Sequence, residues 1–216
     1  GSWDSGSKGM YKFLGANFAS EGYTTVIADY RLYPEVTYPS FPRDTAAAVA
    51  KVSTLYPDRS IILMGHSAGA YNVVLTTVDN QYLKAAGVDK CAVIAGAIGL
   101  AGPYGAFPIK DETLLKIFPD RHQKQDAPLN HIDNPTPPMF LAIGDADTTV
   151  AAQHSTEMRD KIKARGGKVT YKLYPGLSHI DIVKVLSRYF DEDANVKTDI
   201  LKFLADNSAK KKNYCK

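Results

Sequence analysis

Three side chains in the sequence have the types and the chain order that nucleophilic catalysis requires: Ser67, Asp147 and His179. A serine hydroxyl is a weak nucleophile until a base takes its proton, and the base needs an acid to hold its tautomer. Ser67 lies in Gly65-His66-Ser67-Ala68-Gly69, a G-x-S-x-G pattern. As a bare pattern it is weak, because ordinary glycine usage produces a chance match in roughly one such chain in ten. Its setting sharpens it: an apolar run, 61–64, leads in, and a helical pattern leads out, which is the context the motif requires. A strand-to-helix reversal without a loop strains the central residue and brings backbones close, so glycine is expected on both flanks. The hydroxyl then stands at the carboxyl end of a strand, above a helix N-terminus. The unpaired N–H groups there can hold a developing oxyanion. The alternative for Ser67 is a helix N-cap, but a cap has no need of two flanking glycines.

His66 cannot be the base for its own neighbour and reads as a packed residue of the turn. Two later loops offer better groups. Asp145 and Asp147 follow the apolar run 138–144, and His179 follows 168–174. In sheets of parallel strands, site residues come from loops at the carboxyl ends of strands. Asp147 is taken as the acid and Asp145 as structural; for both, the alternative is a cap on the helix starting near Thr149. For His179 the alternative is a surface loop histidine. His122, His131 and His154 follow no strand end and are expected to be exposed.

The elements that must position these groups can be read from periodicity. Short β-prone runs occur at 24–28, 60–64, 91–98, 138–144 and 168–174. The first four are nearly continuous in apolar residues, as strands buried on both faces are. Helical patterns lie between most of them. Met10, Leu14 and Phe18 share one face over 8–20; 44–55 is alanine-rich; 149–165 ends in an Arg-Gly-Gly stop; Val196, Ile200 and Phe203 share a face over 195–206. The alternation predicts a mostly parallel sheet with helices on both faces. Proline-rich residues 102–137 break the rhythm and read as an insertion, either a cap over the sheet or a connecting loop. A single domain over 1–208 with a basic tail, 209–216, results.

Composition fits that frame. The 216 residues carry 26 Lys+Arg against 23 Asp+Glu, a net charge of +3, and can bury a core without disulfide staples. The tail lysines read as a solvated terminus rather than a nucleic-acid patch. No stretch approaches the roughly 20 apolar residues of a membrane span. Cys91 and Cys215 leave one bridge as an option but no disulfide framework, and neither has metal-ligand spacing with the histidines.

Four stretches, GSWDSGSK (1–8), IADYRLYPEVTYPSFPRD (27–44), MGHSAGAYN (64–72) and GDADTTV with PGLSHI (144–150 and 175–180), resemble the α/β-hydrolases. The likeness is to the bacterial carboxylesterases (BD-FAE-like), near the hormone-sensitive-lipase and kynurenine-formamidase-like branches. It implies an α/β-hydrolase fold and an esterase acting on small-molecule esters without metal or organic cofactor. An arylformamidase or amidase with the same three residues, or a non-catalytic hydrolase-like binding protein, are the rivals. GSWDSGSK resembles the end of a His-Gly-Gly motif, which implies oxyanion donors at Gly1 and Ser2 beside Ala68; the other reading is that Gly1 and Ser2 do not belong to the motif. Trp3, His66 and Tyr104 are carried as candidate substrate contacts. The resemblance also implies three strands before this motif, absent from the sequence read here, the third lying between 24–28 and 60–64. Either a preceding segment or second chain completes the sheet there, or 24–28 pairs directly with 60–64.

Overall fold

The computed structural model describes residues 1–105, 111–119, 126–132, 135–187, 195–208 and 214–215. In chain order the elements are α1 (Lys12–Ser20), α2 (Ser40–Leu55), β1 (Ile61–His66), α3 (Ala68–Val78), α4 (Asn80–Ala85), α5 (Lys90–Val93), β2 (Ile94–Leu100), α6 (Glu112–Ile117), β3 (Met139–Gly144), α7 (Gln153–Ala164), β4 (Val169–Tyr174), α8 (Asp181–Lys184) and α9 (Val196–Ser208). The strands form one sheet in the order β1-β2-β3-β4, and every pairing is parallel.

Side chains alternate across this sheet with the period-2 geometry of a strand. Ala97, Met139 and Leu141 point into a core with Val49 of α2, Val74 of α3 and Met158 and Ile162 of α7. Ile98, Leu100, Phe140 and Ala142 point the other way, into a core with Phe18 of α1, Ile182 of α8 and Ile200 and Phe203 of α9. Two apolar faces explain why β2 and β3 are buried at every position and why their sequences do not alternate. Helix signals act locally. Asp79, Asp89 and Asp111 accept backbone N–H groups at the starts of α4, α5 and α6. Gly166, at φ +75°, ends α7 as the Arg-Gly-Gly stop requires, and Gly167 N–H returns to the Ile162 carbonyl.

Residues 24–28 are not a strand. They make no ladder with β1, so direct pairing with 60–64 is not the arrangement adopted. A cavity of about 900 Å3 lies between the two segments, lined by Thr25, Ile27, Ile62 and Met64 among others. The segment is instead held by side chains: Ile27 packs so tightly on Gly15 of α1 that a Cβ there would lie 2.8 Å from its Cδ1. Just beyond it, Arg31 grips Asp44 of α2 through Nε and Nη2. With one hydrogen-bonded neighbour among the described residues, β1 is half-buried along most of its length despite its apolar composition. Met10 also departs from expectation: a 3-10 turn precedes α1, which rotates Met10 off the apolar face and leaves it 66% exposed.

The described parts of 102–137 pack on the core, with Ile117, Phe118, Ala127 and Ile132 buried. Residues 209–213 and 216 of the basic tail lie outside the described residues. Cys215 forms a disulfide with Cys91 at the start of α5, and Tyr214 Oη donates to the Lys90 carbonyl at 2.9 Å. The bridge closes a loop with a sequence separation of 124, large enough that its loss should cost about 2–4 kcal/mol. Cys215→Ser, or reduction of the native protein, is expected to lower Tm by roughly 5–15 °C. Calorimetry showing no change would remove the bridge from the stability of the fold.

Candidate active site

One residue joins β1 to α3. Ser67 has φ 54° and ψ −122°, a conformation a side-chain-bearing residue holds only when its surroundings impose it. Its N–H donates to the Leu100 carbonyl at the end of β2 at 2.9 Å, and its carbonyl accepts from Tyr71 N–H at 3.0 Å. Strand and helix touch at Gly65, where a Cβ would sit 2.2 Å from the Gly69 carbonyl oxygen and 2.6 Å from Ala70 N. Gly69 differs: nothing lies within 4 Å of a Cβ there. Close approach therefore demands glycine on one flank of Ser67 and not on both. The contact is made by the Gly69 backbone, and the residue otherwise borders the cavity.

The Ser67 side chain makes no capping bond. Its Oγ lies 2.8 Å from His179 Nε2, and His179 Nδ1 lies 2.8 Å from Asp147 Oδ2. The second oxygen of Asp147 accepts from Thr149 N–H at 2.8 Å and Val150 N–H at 2.9 Å. Asp147 is thus both the partner of His179 and a brace for the loop before α7, so the two readings of this aspartate are compatible. Its side chain is 0% exposed and that of His179 11%. A carboxylate can only accept, so the neutral His179 carries its proton on Nδ1 and turns the Nε2 lone pair to the hydroxyl.

The loops bearing these groups are fixed to each other. Asp145 Oδ1 accepts from Gly176 N–H at 2.7 Å, tying the loop after β3 to the loop after β4. A Cβ on Gly144 would lie 1.8 Å from the Leu177 carbonyl oxygen, so the two loops are in backbone contact. Ser178 and Asp181 bond reciprocally at the approach to α8: Ser178 Oγ donates to Asp181 Oδ2 at 2.6 Å, and Asp181 N–H donates back to Ser178 Oγ at 3.3 Å. The S-x-x-D spacing is the legible signal for that brace.

His66 is half-buried and points at His179. Its Nε2 lies 2.7 Å from the His179 carbonyl oxygen, and the two rings stand 4.8 Å apart, tilted by 43°. A carbonyl only accepts, so His66 carries its proton on Nε2. Burial is the main influence on His66 and pushes its pKa down to about 4, with the bond to the His179 carbonyl acting in the opposite sense.

The remaining candidates are placed differently. Trp3 is buried among Phe41, Tyr71 and Phe118, and its Nε1–H donates to Asn72 Oδ1 at 2.9 Å. It anchors the first residues to α3 rather than facing a substrate; Asn72, which sequence reasoning did not single out, is its partner. Tyr104 is fully buried with its ring against Gly99 and Gly102, a core position and not a substrate contact. The nitrogen of Gly1 donates to the Ser5 carbonyl, and Ser2, at φ 50°, lies in the same exposed turn. Ala68 opens α3, so its N–H has no partner within the helix. His131 pairs with Asp79 at 3.0 Å and His154 Nδ1 accepts from Gly105 N–H at 2.9 Å; both are half-buried rather than exposed. His122 lies outside the described residues. Among the described residues no group of three or more His, Cys, Asp or Glu side chains could hold a metal ion, and no helix is long and apolar enough to cross a membrane.

Comparison with known proteins gives concordant results. The model of the prolyl oligopeptidase family, Peptidase_S9, matches residues 42–211. The isoprenylcysteine alpha-carbonyl methylesterase of Arabidopsis thaliana is 25% identical over 210 residues, covering 84% of this chain and 49% of that protein. The chain therefore spans about half the length of this curated relative. Among solved structures, propionate-bound esterase 2 of Thermogutta terrifontis superimposes with a TM-score of 0.79 at 21% identity, over 95% of this chain and 80% of that one. A truncated carbohydrate esterase from gut microbiota gives 0.80 at 20% identity, over 97% and 84%. At these identities the structural matches establish the fold, that of an α/β-hydrolase.

The depressed His66 has a consequence for stability. An unfolded histidine titrates near about 6.5, and folded His66 near about 4. The folded pKa is the lower one, so as pH falls the unfolded chain takes up the proton first, and stability drops between these two values. The loss should be on the order of 3 kcal/mol. Urea unfolding from pH 7 to pH 4 should show a steeper decline for the native protein than for His66→Gln; parallel curves would contradict the assignment.

Proposed function

The chain belongs to the prolyl oligopeptidase family, and from that premise we propose that it is a serine hydrolase cleaving small carboxylic esters through an acyl-enzyme. The observation that carries this reading is the relay of two 2.8 Å contacts, Ser67 to His179 to Asp147, built on the strained turn at Ser67.

In this mechanism Ser67 Oγ attacks the acyl carbon while His179 Nε2 takes its proton. Asp147 holds the Nδ1–H tautomer and stabilises the imidazolium. The negative charge on the carbonyl oxygen is met by Ala68 N–H at the start of α3, where helix dipole and unpaired donors coincide. His179 then returns the proton to the leaving alcohol, and water repeats the cycle on the acyl-serine. The groups close this cycle on their own, so no metal or organic cofactor enters the reading. Esters are favoured over amides because the named relatives are a methylesterase and esterases. The second reading, an amidase or formamidase, uses the same groups and is supported by the peptidase family to which the chain belongs.

A screen of p-nitrophenyl esters of graded acyl length, with an aryl formamide and a prolyl peptide amide, separates these readings by kcat/KM. Ser67→Ala should lose activity by up to about a millionfold, since such groups act as a unit, and should no longer be labelled by a fluorophosphonate. More than one per cent residual activity in that variant, or labelling at another residue, would refute the nucleophile. Asp147→Asn should lower kcat on the order of ten-thousandfold by reversing the tautomer, whereas Asp145→Asn should act chiefly on stability. The opposite ranking would transfer the acid role to Asp145.

A further inference from the structure

His179 sits on the 175–180 loop, between β4 and α8. That loop is braced in front by Gly176 on Asp145 and behind by Ser178 with Asp181. The Nε2 side of the His179 ring cannot serve as a steady anchor if it is the base of an acyl-transfer cycle. Its Nε2 takes and returns a proton, and its partner Ser67 Oγ becomes bonded to the acyl group. Asp147 holds the ring at Nδ1 throughout, and the backbone of His179 has its own hold, untouched by any of these steps: the bond from His66 Nε2–H to its carbonyl, at 2.7 Å. His66 is also the last residue of β1 and the covalent neighbour of Ser67. The strand that carries the hydroxyl therefore holds, through one side chain, the backbone that carries the imidazole 113 residues away.

We propose that His66 is a positioning residue for the base, holding the His179 carbonyl so that the imidazole stays in line between Ser67 and Asp147 through the acylation cycle. The inference rests on the serine-hydrolase reading. A hydrocarbon side chain could fill the same space and stack on the His179 ring, but could not hold the carbonyl. A protonated His66 would place a second positive charge against the imidazolium; burial keeps the ring neutral, so it can donate from Nε2 without that repulsion.

The test compares His66→Phe, which keeps an aromatic ring and loses the donor, with His66→Gln, whose side-chain amide N–H falls near the place of Nε2. His66→Asn, with a shorter amide, is the polar counterpart should the phenylalanine variant not fold. A misplacement of about 1 Å costs up to about a hundredfold in rate. Accordingly kcat should fall about 10- to 100-fold in His66→Phe and His66→Asn with KM changed by less than about threefold, and should recover to within about fivefold of native in His66→Gln. The downfield proton resonance of the His179–Asp147 bond should be sharp in the native protein and His66→Gln and broadened in the other two. Retention of more than half the native kcat in folded His66→Phe or His66→Asn, a loss confined to KM, or equal losses in His66→Gln and His66→Asn would each overturn the proposal. Ser67→Ala, assayed alongside, keeps the two readings apart: full activity there refutes the hydrolase mechanism itself, whereas an inactive Ser67→Ala beside an unimpaired His66→Phe refutes only the positioning role.

Discussion

The contact between Gly65 on β1 and the Gly69–Ala70 backbone of α3 is the constraint on which the site depends. It leaves room for a single connecting residue, and that residue must take a left-handed backbone. Strain of this kind costs about 1–3 kcal/mol. It is outweighed by the burial of α3, whose Val74, Leu75 and Val78 are almost completely enclosed at about 1.5–3 kcal/mol each. The Ser67 hydroxyl is exposed to chemistry because the helix behind it is among the most deeply buried parts of the molecule. The bond from Ser67 N–H to Leu100 further requires β2 beside β1, so the turn is tied to the sheet order.

Parallel pairing brings the other groups to the same place. With all four strands running one way, their carboxyl ends share one edge of the sheet, and the loops after β1, β3 and β4 meet there. The register of Gly144 opposite Tyr174 ends β3 and β4 level, which lets Asp145 reach Gly176 and Asp147 reach His179. Neither aspartate works alone: one locks the loops together and the other uses the lock. The short loops leave little backbone freedom, so backbone contacts such as Gly144 against Leu177 matter as much as the side-chain bonds.

The far side of β1 follows a different logic. Residues 24–28 have the β-branched composition of a strand, yet a strand is a pairing and not a composition. Here Ile27 packs on α1 while the rest of the segment is exposed, Arg31 just beyond it reaches Asp44 of α2, and the segment makes no ladder with β1. The same geometry leaves Ile62 and Met64 of β1 bordering the cavity, although their sequence is that of an interior strand.

By itself the sequence determined the local features. Glycine and serine at a change of period marked the turn, and apolar runs marked β1 to β4. An Arg-Gly-Gly stop ended α7, and the order Ser67, Asp147, His179 placed three reactive groups after strands. These are properties of a few neighbouring residues, where sterics and periodicity act without help from the rest of the chain. Tertiary structure decided what depends on distance through space. It distinguished Asp147 from Asp145, two residues apart with the same side chain, by which one meets His179. It turned His66 from a neighbour of the serine into a partner of the His179 backbone. It withdrew Trp3 and Tyr104 into the core, spared Gly69 the crowding that Gly65 suffers, and left 24–28 unpaired. In each case the deciding quantity is which backbone or ring lies within a few ångströms, and that is set by the packing of helices on a common sheet, which no short stretch of sequence encodes.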